Sequence, residues 1–286
     1  MFDHKEVIPL IPGEIGGAFG DMPMAEKEES YTKIKNHINE NVSVDMPIDL
    51  FKRDGFIKLG RVIDAEQARK ELFQYPIYNG HVKVYSDGKP IFNYLESDLP
   101  GKIYSWDMKD LMKCKTVTDL ASNPLLVNFV SQYLGCPPTC YSLNCMYSSG
   151  RSNHGTTVRH RDQDDFKFVV LFVYLEDTDH TNGAHVYERG THAVDGIPSQ
   201  IKGDQVVLNG KAGDGFITDS WGVHFGAPMN PGKRRICLWI RYGLYDNWTS
   251  RIGDKNFDQP ADVSLIDTNI DYNKYAFRFL IDKGNV

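Results

Sequence analysis

The sequence predicts a mainly β domain with flanking α-helices, folded as a double-stranded β-helix, the cupin-like jelly roll, and three features lead there. Lys167 to Leu175 is an unbroken β-branched and aromatic run, which reads as a strand covered on both faces. Arg234 to Tyr242 reads as another strand, entered through a turn that contains Pro228 and Pro231-Gly232. From Cys140 onward short strand-like segments are separated by glycine-containing turns, whereas the clear helical stripes lie earlier in the chain.

In chain order, residues 1–48 carry few strand signals and several loop residues, among them Pro9, Pro12-Gly13 and Gly16-Gly17. They are expected to wrap the surface or cover the site. A short helix from Asp49 is followed by a strand over Gly55 to Leu59. Asp64 then caps a helix over Ala65 to Phe73, with Gln67 completing a capping box. Ala65, Ala68 and Leu72 form its apolar stripe. A second helix starts at Asn123-Pro124 and stops at Gly135, with Leu126, Phe129, Val130 and Tyr133 on one face. Both stripes read as core. The strands follow, and a tail over 246–286 is expected to pack on the same domain, with a last helix over Tyr272 to Ile281.

Composition sets the outer bounds. At 286 residues and 41% hydrophobic content the chain can bury a full core, and with no Ser/Pro-rich linker or repeat to divide it, residues 49–245 read as one domain. A net charge of −6 argues against a nucleic-acid footprint, which needs a basic stripe. No basic start followed by an apolar core opens the chain, and no apolar stretch reaches spanning length, so a soluble, cytoplasmic protein without membrane association is expected, the sequons at Asn41 and Asn247 being unused. Nothing points to a protein partner. The five cysteines, Cys114, Cys136, Cys140, Cys145 and Cys237, include no CxxC pair and read as free buried thiols rather than a zinc site.

The chemistry is carried by His160 and Asp162, spaced as HxD, and by His224, sixty-two residues after Asp162. Residues two apart on a strand project to the same face and can bind one ion together. Two imidazoles and a carboxylate on one side of a metal leave the opposite positions open, which suits a non-haem Fe(II) that must take a chelating co-substrate and dioxygen. The expected protein is an oxygenase. Two other classes use the same residues differently: a non-catalytic jelly roll that binds a metabolite or sugar, and a zinc-dependent hydrolase.

The order of segments adds a resemblance. His160 to Asp162, Asn182-Gly183, Gly190-Thr191-His192, Gly213-Asp214 and His224 follow one another in a spacing that resembles the phytanoyl-CoA dioxygenase-like branch of the Fe(II)/2-oxoglutarate oxygenases. The resemblance runs from about Asp49 to Tyr242. It implies that His160, Asp162 and His224 hold iron, that Arg235, eleven residues beyond the distal histidine, grips the far carboxylate of 2-oxoglutarate, and that Phe172 packs against that co-substrate. A guanidinium suits the role because its planar fork makes two parallel hydrogen bonds to a carboxylate. Arg234 is the neighbouring candidate. Strand parity puts Arg235, Cys237, Trp239 and Arg241 on one face and Arg234, Ile236, Leu238 and Ile240 on the other.

Departures from the family bear on the substrate. His185, Tyr187, Glu188 and Arg189 stand where relatives are mostly apolar, and Gly226 replaces a small hydroxyl residue. The presence of Asp162 disfavours a halogenase variant. With the charged stretch around Asp164, the residues His185, Tyr187, Trp239 and Arg241 are expected to meet a small polar substrate, amino-acid-like or another carboxylate, rather than a long acyl-CoA, for whose phosphates the chain has no basic track. Three other histidines near the proposed site in sequence, His154, His180 and His192, read as surface or structural histidines. The implied reaction uses 2-oxoglutarate and O2, releases succinate and CO2, and oxidises an unactivated C–H bond by hydroxylation, desaturation or ring closure.

Overall fold

The computed structural model describes residues 47–80, 89–95, 99, 103–150, 157–162, 165, 167–244, 266 and 271–277, with a few positions between 23 and 36. Its helices are α1 (Ile48–Asp54), α2 (Ala65–Leu72), α3 (Met108–Leu111), α4 (Lys115–Ala121), α5 (Pro124–Leu134) and α6 (Asp271–Ala276). Its strands are β1 (Phe56–Arg61), β2 (Ile77–Asn79), β3 (Ile103–Trp106), β4 (Thr139–Ser149), β5 (Phe168–Tyr174), β6 (His185–Glu188), β7 (Gln205–Leu208), β8 (Asp214–Thr218), β9 (His224–Gly226) and β10 (Arg234–Gly243). The readings of residues 1–46 and most of 246–286, with His154 and Asp164, lie outside the described residues; of the tail, α6 occupies part of the expected last helix. No helix among the described residues is long and apolar enough to cross a membrane.

The helices form where local signals place them. Asp64 accepts from the Glu66 and Gln67 amides at the start of α2, at 3.0 and 3.2 Å. The return half of the expected capping box is absent, because the Gln67 side chain instead donates from Nε2 to Glu71, one turn ahead, at 2.8 Å. In α5 the Asn123 side chain accepts from the Leu125 and Leu126 amides, Pro124 fills the first turn, and Gly135 ends the helix in the left-handed region at φ 80°. Leu126, Phe129, Val130 and Tyr133 are all buried, and Phe51 of α1 meets the last two aromatic rings of that set edge-on at 5.3 and 4.6 Å.

The strands build two antiparallel sheets of a jelly roll. The larger runs β1-β8-β5-β10-β4-β3-β2 and the smaller β7-β6-β9. One face of the larger sheet, through Leu171, Val173, Ile217, Ile236, Leu238 and Ile240, packs on the stripes of α2 and α5 in the main core. Its other face looks toward the smaller sheet, where Phe168, Val170, Phe172, Tyr174 and Phe216 meet Tyr187 and Leu208. β5 therefore buries all seven of its residues, as its unbroken apolar run requires. The cavity between the sheets is where the site lies.

Candidate metal centre and its cavity

The ligand residues are gathered by backbone pairing. His160 and His224 form an isolated antiparallel bridge in which each amide donates to the other's carbonyl at 3.0 Å, and the Asp162 amide donates to Ser220 O at 3.0 Å. With the two segments zipped together, His160, Asp162 and His224 each turn one ligand atom inward, and all these atoms lie within 4.8 Å of one another. The His160 Nε2 is 3.6 Å and the His224 Nε2 3.8 Å from the Asp162 carboxylate. Among the described residues no other group of three potential ligands comes together.

Each histidine is also oriented from behind. His160 Nδ1 lies 2.7 Å from Val158 O and His224 Nδ1 2.8 Å from Gly222 O. A carbonyl can only accept, so both Nδ1 atoms carry the proton and both Nε2 lone pairs face the shared point, the usual second partner of a ligand histidine. Burial pushes the His224 imidazole below its ordinary value, the Asp162 carboxylate opposing this only in part. A neutral imidazole is the form that binds a metal.

The turn before His224 depends on Gly222. A Cβ there would fall 1.9 Å from the Tyr187 hydroxyl, which itself donates to Asp219 O at 2.8 Å. This corrects the expectation that Tyr187 meets substrate: it is fully buried, packs on Phe56 and braces the turn from below. Glu188 and Arg189 are structural in the same way. Glu188 takes both prongs of Arg159 at 2.6 Å, and Arg189 pairs with Asp54. Burial alone raises the Glu188 carboxyl, but Arg159, Gln205 and the Gly203 amide outweigh it and hold the group below its usual range. Arg161, between the two ligands His160 and Asp162, donates to the carbonyls of Thr191, Val194 and Gly196. Much of the charge around the HxD segment is thus committed to fastening the 191–201 loop behind it.

A cavity of about 250 Å³ opens from the triad between the sheets, lined among others by Phe172, His185, Arg235, Cys237, Trp239 and Arg241. The parity expected for β10 holds, since its four inward residues all line the cavity while Arg234 points away and pairs with Glu176 at 2.6 Å. Arg235 is buried. Its Nη1 donates to Gly183 O, and its Nε has no partner. Arg241 lies 3.9 Å from the Asp162 carboxylate and stacks over Trp239 at 5.3 Å. His185 stacks on His224 with ring centres 5.0 Å apart and meets Phe172 at a tilt, 4.7 Å between centres. Burial, reinforced by His224 and Arg235, holds its imidazole well below the ordinary value. His192, in contrast, is a structural histidine whose Nε2 lies 3.0 Å from Lys52 O.

Tyr174, Cys237 and Phe225 also line the cavity and were not among the expected site residues. Period two from Phe172 and from Arg235 identifies the first two; Phe225, next to a ligand, carries no such signal. All five cysteines are buried and free, as expected, and burial pushes the Cys237 thiol up to about 11.

No protein-family model and no curated protein matches the chain by sequence. Among solved structures it is similar to the epimerase SnoN in complex with Fe3+, alpha ketoglutarate and nogalamycin RO, at 15% identity over 68% of this chain and 81% of that one, with a TM-score of 0.51. It is also similar to the non-heme alpha ketoglutarate dependent carbocyclase SnoK from nogalamycin biosynthesis, at 14% identity over 73% and 86% of the two chains, with a TM-score of 0.50. At these identities the likeness is one of architecture, and the jelly roll of this chain is the fold it shares with those two proteins.

Proposed function

We propose that this chain is an Fe(II)/2-oxoglutarate-dependent oxygenase of the phytanoyl-CoA dioxygenase-like kind, oxidising a C–H bond of a small polar substrate with release of succinate and CO2. The observation that carries the reading is the convergence, in one cavity, of a two-histidine, one-carboxylate ligand set with a buried arginine. The donor set fits Fe(II): two neutral Nε2 lone pairs and one carboxylate occupy one side and leave the other free. The arginine fits a dicarboxylate co-substrate, because a buried guanidinium with an unsatisfied Nε is stabilised by a bidentate anionic partner. A hydrolytic zinc site would leave Arg235 without a role.

When bound, Fe(II) and 2-oxoglutarate supply the activation of O2, one oxygen atom going to succinate and the other serving to oxidise the substrate. The protein's part is placement. His160, Asp162 and His224 would hold the metal, and Arg235 would fix the far end of the co-substrate. Phe172, between His185 and Trp239, would form the apolar wall that keeps water from its side. Trp239 and Arg241, beside Asp162, are read as substrate-side residues, and a guanidinium stacked on an indole favours a substrate with an anionic or otherwise polar group.

Succinate formation from 2-oxoglutarate tests the proposal. The iron-loaded protein is expected to form succinate, faster with small carboxylates or amino acids than without. Turnover stimulated by fatty acyl thioesters alone rejects the substrate class, and an active zinc-loaded protein that forms no succinate with iron rejects the reaction.

A further inference from the structure

Resting on the 2-oxoglutarate reading above, we infer that His185 is a second anchor for the co-substrate, donating a hydrogen bond to the same carboxylate that Arg235 grips. His185 is 7% exposed, lines the cavity and has an Nε2 with no hydrogen-bond partner. An unpaired buried nitrogen is costly, and the surroundings would accept an apolar side chain at no such cost: Phe172 and Phe216 lie against the ring at 4.7 and 5.4 Å. A polar ring kept there, in the wall of the cavity, suits a partner that enters it.

The main chain holds His185 and Arg235 in the wall of one cavity. Gly183, two residues before His185, accepts the Arg235 Nη1 through its carbonyl, while the His185 amide is fixed to the Tyr174 hydroxyl at 2.9 Å. The imidazole stacks on the ligand His224 with 18° between the ring planes, and it lines the same cavity as the guanidinium. A carboxylate has about four lone-pair positions, so the two-pronged contact with Arg235 leaves room for one more donor. A neutral N–H meets that need without adding a third positive charge beside Arg235 and the metal.

The test is calorimetric and independent of turnover. With Ni(II) in place of iron, 2-oxoglutarate is titrated into the wild type and into His185→Leu, His185→Phe and His185→Gln. In parallel 2-oxobutyrate is titrated, which keeps the chelating end and lacks the far carboxylate. The Leu and Phe variants are expected to bind 2-oxoglutarate roughly ten- to a hundredfold more weakly, as for a lost hydrogen bond to a charged group, with 2-oxobutyrate binding unchanged. Gln, which keeps a donor, recovers much of the loss. Phe preserves the stacking on His224 and serves if Leu does not fold. Affinity for 2-oxoglutarate within about twofold of wild type in the folded apolar variants overturns the inference, as does an equal loss for both probes, which would place the effect on His224. A wild type that binds neither probe overturns the 2-oxoglutarate reading itself.

Discussion

The two faces of β10 are made by one ten-residue strand and meet opposite demands. Ile236, Leu238, Ile240 and Tyr242 point into the helix-backed core, all four fully buried, and the one hydroxyl among them donates to Ala121 O at 2.7 Å. Arg235, Cys237, Trp239 and Arg241 point into the cavity, where a buried guanidinium keeps an Nε with no partner. On this strand the core face satisfies its one hydroxyl within the protein, and the cavity face keeps a guanidinium nitrogen for something that arrives later. The difference separates residues that hold the fold from residues that hold a ligand.

The sharpest way to break this division is to remove a ligand from the cavity side. His224→Ala is expected to reduce iron-dependent succinate formation to background while the protein still unfolds in one cooperative transition, because the jelly roll does not depend on the ion as a zinc finger does. Succinate at the wild-type rate would show that the triad is misassigned. Next in size, Arg235→Ala should weaken 2-oxoglutarate binding by about 2–5 kcal/mol, tens- to thousandsfold, while iron binding survives, and Arg235→Lys should recover only part. Arg234→Ala, which loses only the pair with Glu176 on the other face, should leave the co-substrate requirement unchanged; the opposite result places the register one residue off.

Leu238→Ala reverses the pattern. It should cost about 2–5 kcal/mol of stability in a denaturant titration and leave the affinity of the folded protein for 2-oxoglutarate intact, so a co-substrate defect there would dissolve the distinction between the faces. The smallest effect belongs to Asn123→Ala, remote from both: loss of the α5 cap should lower stability by about 1 kcal/mol and change no binding constant.

What the sequence made legible follows from how local each signal is. β5 and β10 announce themselves by composition and alternation, α2 and α5 by their caps and stripes, and the triad by a spacing that backbone pairing with the His224 segment converts into one site. α3, α4, β2 and β3 are too short for periodicity to register, and only their packing fixes them. β6 turns His185 and Tyr187 to the same side, and period two does not say how deep each lies: His185 reaches the cavity, while Tyr187 ends beneath the His224 turn against Gly222. The charges of Glu188, Arg189 and Arg159 were legible as charges, but their partners lie far off in sequence, so only the folded chain shows that Glu188 binds Arg159 and Arg189 binds Asp54.

The reciprocal amide bonds between His160 and His224 have a further consequence, for the thermodynamics of loading. Residues distant along the chain are held at ligating distance by the ladder itself, so the entropy of closing that long loop is lost when the protein folds, not when the ion enters. Metal uptake should therefore show little change in heat capacity and little dependence on denaturant below the unfolding transition, and exchange of one divalent ion for another should leave the backbone amides of both ligand segments equally slow to exchange their hydrogens with solvent.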